Sequence, residues 1–442
     1  MGIDLSILKK RPKSQSNTLT LKPKTLEQTG LPARLLETLI IKHLSQVTDD
    51  DVVGLSKKLG LSGNIIEQIL QKQKSEAYVE VRSDGRFSAS IRYGLTNKGR
   101  NLAQHEIQRD GYLGPAPISL PHYKALVLSQ TTKEELVTPD ILCNGLNDLI
   151  LPNDIIGTVG PALNSGRAIF IYGLPGTGKT YISRRLIRLF KSQVFVPYSI
   201  CIGNQIIQLF DPIIHKPIQS QEESLLLDDG YDNRLVKCQR PEVVVGGELT
   251  ADMLEVTVDP SHKINRAPLQ MKANNGILLI DDLGRQKVSV DAILNRWIIP
   301  LEEKIDYLSL SSGDHFDIPF EQVLVFSSNI HPAKLADDAF LRRIGYKINF
   351  GPISADDYTT LWHNECDRHQ LTTTADVLEY VFEQLHRPYA VPLLPCYPRD
   401  LVAMCSNQIQ FYQHQPIITP ELMQTVWDCY FVNDEQEVTS HE

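Results

Sequence analysis

Two stretches of this chain carry residue types whose spacing suits phosphate chemistry. Gly173–Thr180 reads GLPGTGKT, with the spacing G-x-x-x-x-G-K-[ST], and follows an apolar run, Ala168–Tyr172 (AIFIY), of the kind that forms a buried parallel strand. Tyr181–Phe190 (YISRRLIRLF) has helical periodicity, so the loop is expected between a strand and a helix. Backbone N–H groups of such a loop converge on phosphate oxygens, and the helix N-terminus adds a favourable dipole. Gly173, Pro175, Gly176, Thr177, Gly178, Lys179, Thr180 and Tyr181 are therefore candidates to hold a nucleotide, with Lys179 at the β- and γ-phosphates and Thr180 on Mg²⁺.

The second stretch is Ile277–Asp282 (ILLIDD), an apolar run ending in two carboxylates. A buried parallel strand delivers the residues at its C-terminal end to the same crevice as a phosphate loop. Asp281 is then the second holder of Mg²⁺, and Asp282 the group that polarises an attacking water. A third apolar run, Gln322–Phe326 (QVLVF), leads into Ser327, Ser328 and Asn329, which places Asn329 beside a γ-phosphate. Ahead of the loop, Ile156 and Gly157 are adenine-side residues by position, or else pack the preceding segment onto the core.

The rest of the chain has to position these groups. Its 442 residues exceed what one core organises, so two or three domains are expected. A hydrophobic content of 42% and a charged content of 22% are those of an ordinary globular protein. The net charge of -9 excludes a surface that is nucleic-acid footprint throughout, though not a local basic patch. No apolar run is long enough to span a bilayer and no signal-peptide core precedes the first charges, so a cytoplasmic location is expected. Seven scattered cysteines without a C-x-x-C fit buried thiols in a reducing compartment better than a disulfide framework. His363, Cys366 and His369 share a helical face, but no fourth ligand is near, so packing in a helical layer is expected there.

Residues 1–25 form a basic arm with few apolar residues, including Lys9, Lys10, Arg11 and Lys13. From Leu26 the apolar spacing predicts three helices, with Asp49 and Ser62 at N-cap positions. Two extended runs follow, Tyr78–Arg82 and Ile91–Leu95, joined across an Asp84-Gly85 hairpin signal, and a closing helix begins at Thr96. Residues 26–109 thus resemble a winged helix-turn-helix domain. The third helix, Ser62–Ala77, balances Lys72 and Lys74 with Glu67 and Glu76, whereas Arg82, Arg86, Arg92, Lys98 and Arg100 make the wing basic. A protein-binding and a DNA-binding role for this domain both remain open.

The three strands with their loop, acid pair and Asn resemble the core of an AAA+ ATPase, and the similarity extends over roughly residues 150–435. Asp337–Phe350 (DDAFLRRIGYKINF) resembles the arginine-finger helix and following strand, which makes Arg342 or Arg343 the group that would reach a neighbouring subunit's nucleotide. Tyr397–Cys405 (YPRDLVAMC) resembles the start of the sensor-2 helix, with Arg399 as a contact to nucleotide in its own chain. The resemblance implies an α/β fold: a parallel-sheet ATPase domain over 153–352 with an insert at about 200–275, and a small helical lid over 353–435. A linker with a short helical region, 110–152, would precede the ATPase domain, and a tail, 436–442, would follow the lid. The approach to the acid pair, APLQMKANNG, is similar to that of the MoxR-like and chelatase-like branch. Arg285, Lys287 and Arg296 would then lie at a subunit interface.

The family likeness further implies ATP and Mg²⁺ as ligands, a homo-oligomeric ring, most often a hexamer, and a bacterial remodelling ATPase acting on a protein client. An ATP-dependent DNA-associated factor and a nucleotide-gated scaffold are the alternatives. The scaffold follows from Asp282, which stands where the family usually has the longer Glu.

Overall fold

The computed structural model describes residues 19–82, 91–146, 150, 152–218 and 231–431. The Asp84-Gly85 turn, Arg86, the arm up to residue 18 and the tail from 432 lie outside these residues.

The N-terminal region is helical with a small antiparallel sheet. Helices Ala33–Leu44, Val52–Leu59, Gly63–Ser75 and Asn97–Arg109 enclose Leu36, Leu39, Ile40, Leu55, Leu59, Ile65, Ile66 and Leu70, each no more than 1% exposed. The strand Arg92–Leu95 lies between Asp50–Asp51 and Val79–Arg82, antiparallel to both. The N-cap of the second helix is Asp51, whose carboxylate accepts from the Gly54 N–H, and not Asp49. Asp49, just before the short strand that pairs with Arg92–Leu95, instead forms an ion pair with Arg92. Ser62 occupies its N-cap position, but its hydroxyl makes no capping bond.

The cations of this region are largely engaged within the chain. Arg82 pairs with Glu80, Lys72 with Glu37 at 2.7 Å and Lys58 with Asp50 at 2.8 Å. Lys98 lies over the Tyr78 ring, 4.2 Å from its centroid, and donates to the Glu76 carbonyl.

A five-stranded parallel sheet forms the centre of the molecule. Its strands are β1 (Ile169–Gly173), β2 (Glu242–Val245), β3 (Ile277–Ile280), β4 (Val323–Ser328) and β5 (Tyr346–Phe350), in the order β2-β3-β4-β1-β5. Alternate side chains leave opposite faces of a strand, and here both faces are buried. Ile169, Ile171, Ile277, Leu279, Val323 and Val325 pack on one side with Val159 and Leu186. Phe170, Leu278, Ile280, Leu324 and Phe326 pack on the other with Trp297 and Phe340. Each such side chain contributes about 1.5–3 kcal/mol relative to exposure, which is why these strands are unbroken apolar runs. Glu242–Val245 falls within the stretch read as an insert, yet it forms the edge strand of this sheet.

The segment behind the phosphate loop also differs from expectation. In place of one helix over Tyr181–Phe190 there is a short α-helix, Lys179–Ser183, and then a 3₁₀ turn, Leu186–Leu189. A three-residue repeat stacks Leu186 above Leu189, and both are buried against the sheet. Burial of that pair thus selects the tighter winding.

The remaining elements form an insert and a lid. Hairpin strands Ser199–Ile202 and Gln205–Gln208 belong to a second five-stranded sheet, and Cys201 and Ile206 from it join the same apolar cluster as the N-terminal helices. The Gly111 N–H donates to the His262 carbonyl of the insert, so the contact is polar as well as apolar, while Lys42, 2% exposed, donates to the Asp110 carbonyl at the end of the last N-terminal helix. Tyr198 and Phe210 pack on each other in this insert, their ring centroids 5.3 Å apart. Arg296 is held by Asp306 and Glu255 within the chain. The lid consists of helices Ala355–His369, Ala375–Tyr380, Cys396–Tyr412 and Pro420–Tyr430 around Tyr358, Trp362 and Trp427. Cys366 is buried in that core, and no group of acids, His and Cys that could hold a metal occurs among the described residues. All seven cysteines are free, and burial pushes the Cys405 thiol up to about 12. No helix among the described residues is long and apolar enough to cross a membrane.

The lid contains a buried titratable group. His386 is 4% exposed, bonded through Nδ1 to the Val391 carbonyl at 3.0 Å and through Nε2 to the Tyr358 hydroxyl at 3.1 Å. Burial holds it below its ordinary value of 6.5. The unfolded chain therefore binds the extra proton first, so the stability contributed by neutral His386 is present above pH 6.5 and is lost as pH falls below it. The Trp427 ring lies 5.0 Å away and reports on the site. Acidification to about one unit below pH 6.5 is expected to lower the thermal midpoint followed by tryptophan emission. His386→Gln should flatten that dependence even though His43 and His215 are also lowered by burial. An identical pH dependence in the variant would contradict the assignment.

Candidate nucleotide site

The loop after β1 is built on backbone conformations that side chains resist. Gly173 has φ +145, and a Cβ there would stand 2.0 Å from the Phe350 carbonyl oxygen, so only glycine lets β5 run alongside while the chain turns away. Gly176 has φ +84, and a Cβ there would meet Cys396 Sγ at 2.5 Å. The start of the lid helix Cys396–Tyr412 is therefore seated directly on the loop. Leu174, Pro175 and Gly176 are exposed, while Thr177 and Lys179 are buried behind them. Gly178, also at positive φ, precedes the first turn of the short helix.

Lys179 folds back into the loop. Its Nζ donates to the Gly173 and Leu174 carbonyls at 2.9 and 2.7 Å. Burial lowers its pKa, and the carboxylates of Asp282 and Asp281 counter that shift. The ammonium is thus held by neutral carbonyls that an anion can replace. Thr180 Oγ1 donates to Asp281 Oδ1 at 3.0 Å, which joins the helix after β1 to the end of β3. Thr180, Asp281, Lys179 and Asp282 are therefore one cluster, assembled at the C-terminal ends of parallel strands.

Asp282 and Asn329 meet at the edge of this cluster, with Asn329 Nδ2 3.4 Å from Asp282 Oδ1. Asp282 has φ +49, the left-handed region that Asp and Asn tolerate better than longer side chains. This supplies a local reason for Asp at a position where Glu was the expected acid. Gln286, which sequence reasoning missed, clamps the turn by donating to the Asp281 and Asp282 carbonyls at 2.9 and 3.1 Å. Ser328 Oγ donates to the Leu283 carbonyl at 2.7 Å and ties the same turn to β4. The available signal for Gln286 was an amide placed four residues after the second acid, where it can reach back over Gly284.

The other candidates lie farther out. Tyr181 is 44% exposed, with the Arg185 guanidinium stacked 3.3 Å from its ring centroid. Ile156 packs partly buried on the cluster that contains Ile182, whereas Gly157 is exposed with open space around it. Arg399 follows Cys396 by three residues and pairs at 2.8 Å with its neighbour Asp400. Arg342 and Arg343 come just after the short helix Asp338–Leu341, and their recorded partners are Asp338, Ala339 and Glu302 rather than loop residues. Arg343 is ion-paired with Glu302 at 2.7 Å, while Arg342 is exposed and has no carboxylate partner among the described residues. Of the two, Arg342 has its charge available.

The left-handed turn at Asp282 makes a specific prediction. Asp282→Asn should keep the thermal midpoint close to that of the parent chain. Asp282→Glu should lower it, by the equivalent of about 1 kcal/mol, because Glu pays more for that backbone conformation. Equal midpoints for the two variants would remove the conformational account of Asp282.

Comparison with known proteins adds the following. A family model described as a domain of unknown function (DUF8689) matches residues 354–429, the helical lid. No curated protein matches the chain. Among solved structures, the chain is similar to a point mutant of RuvB from Thermotoga maritima, with 10% identity over 69% of this chain and 74% of that one, at a TM-score of 0.35. It is also similar to NtrX from Brucella abortus in complex with ADP, with 12% identity over 78% of this chain and 69% of that one, at a TM-score of 0.40. At scores this low, the site's own geometry has to carry the functional reading.

Proposed function

We propose that the chain binds ATP with Mg²⁺ in the manner of an AAA+ ATPase and hydrolyses it in a homo-oligomeric ring that remodels a protein partner. The observation that carries this reading is the Thr180–Asp281 hydrogen bond with Lys179 and Asp282 beside it, at the mouth of a glycine loop ending β1. A Mg²⁺ held between Thr180 and Asp281 would neutralise phosphate charge there. The residues fit these ligands: Leu174, Pro175 and Gly176 of the loop are exposed, and among the described residues Lys179 donates to loop groups and neither acid of the pair is in a salt bridge.

In this reading the backbone N–H groups of the loop and of the helix after it bind phosphate, and Lys179 leaves its two carbonyl acceptors for a phosphate oxygen. Asp282 accepts a proton from the attacking water, and Asn329 orients that water from the end of β4. Arg342 acts from a neighbouring subunit, since in its own chain it projects from the turn before β5. Cys396 on the loop and Arg399 one turn along the same helix give the lid its route to sense the ligand. A protein partner for the N-terminal region is favoured over DNA because Arg82, Arg92, Lys58 and Lys72 are already paired with carboxylates of the chain.

Calorimetric titration of ATP with Mg²⁺ should show saturable binding that Lys179→Ala abolishes, and unchanged affinity in that variant would refute the site. Arg342→Ala should leave affinity within a few-fold while lowering turnover by on the order of a hundredfold or more. Arg343→Ala is expected to act mainly on stability, by less than about 1 kcal/mol for so exposed a pair. A turnover loss confined to the Arg343 variant would reverse the assignment of the two arginines.

A further inference from the structure

Away from the phosphate loop, a groove of about 950 Å³ runs between the segment after the short helix and the free edge of the central sheet. Its charge is one-sided. Arg184, Arg188, Lys191 and Lys216 line it, all exposed and without a carboxylate partner among the described residues. Among the described residues Glu242 is the single carboxylate in its lining; burial raises its pKa, and Lys216, Arg184 and Arg188 pull it back down. Such a concentration of cations contrasts with a chain whose net charge is -9.

The wall opposite the arginines is β2, which pairs with β3 alone. The Ile277 N–H donates to the Pro241 carbonyl and the Asp281 N–H to the Val245 carbonyl. Alternation along a parallel ladder therefore turns the N–H and C=O groups of Glu242 and Val244 away from β3, toward the groove. The third component is apolar: Ile213 is 85% exposed, with Ile214 and Ile218 along the same lining. An unpaired strand edge, a row of cations, the exposed Ile213 and the half-buried Ile214 and Ile218 in one groove match an extended acidic peptide better than a nucleic acid. Single strands are held by bases stacked on exposed aromatic rings, and the groove's aromatic residue, Phe190, is only 7% exposed.

We propose that this groove receives an extended segment of a partner protein in which acidic and aliphatic residues alternate, added as a strand to the edge of β2 with its carboxylates on Arg184, Arg188, Lys191 and Lys216. Side chains alternate along a strand, so one register meets both the cations and the isoleucines. The proposal goes beyond the nucleotide reading and does not depend on it.

The test uses the full chain and a fluorescein-labelled peptide of alternating Glu and Val, kept below the concentration at which it assembles with itself. Fluorescence anisotropy should show saturable binding. The double variant Arg188→Glu with Lys216→Glu should weaken it by roughly tenfold or more, with an unchanged thermal midpoint. The same peptide N-methylated at every second residue should lose binding to the parent chain, which removes any dependence on variant folding. A peptide of alternating Lys and Val should not bind. Absence of saturable binding would overturn the proposal, as would binding indifferent to charge reversal or to N-methylation. Binding of an oligothymidylate that is stronger than the acidic peptide and lost on charge reversal would replace it with a nucleic-acid groove.

Discussion

The hydrogen bond from Thr180 to Asp281 spans 101 residues of chain and fixes the geometry on which the rest of the site depends. It requires β1 and β3 to end at the same level with β4 between them, because the helix after the loop must reach over the end of β4 to meet the acid pair. The parallel registers β1–β4 and β4–β3 set that level. The buried apolar residues on the two sheet faces hold the registers, since a slip of one residue would move each side chain to the opposite face, out of the cluster in which it packs. The same order brings Asn329, which follows β4, beside Asp282, which follows β3.

Around this centre the surrounding elements are tied in by contacts that limit how they can move. The N-terminal helices share an apolar cluster with the hairpin Ser199–Gln208 of the insert, and the Gly111 N–H that follows the last of them donates to the His262 carbonyl. The lid has a different attachment, through Cys396 at Gly176, where a side chain on the loop has no room.

Much of the site was legible in the sequence because it is local. GLPGTGKT and ILLIDD each combine a strand-length apolar run with polar groups at its end, and a buried parallel strand can only present those groups at one edge of the sheet. What was not legible depends on neighbours distant in sequence. Glu242–Val245 is four residues long among other strand-like pieces, and only its pairing with β3 marks it as part of the central sheet. The 3₁₀ turn at Leu186–Leu189 follows from burial on that sheet and not from helix propensity. Asp49 looks like a cap until the fold brings the Arg92 guanidinium to it, and Arg343, unlike Arg342, is paired with Glu302. Gln286 was missed because its bonds are to carbonyls of a left-handed turn that the letters do not display.

The most direct test is a crystal structure of the chain with a non-hydrolysable ATP analogue and Mg²⁺. The account predicts that Lys179 Nζ leaves the Gly173 and Leu174 carbonyls for the β- and γ-phosphates and that the metal lies between Thr180 and Asp281. A nucleotide bound elsewhere, or a loop in which Lys179 keeps both carbonyl bonds at saturating ligand, would contradict it.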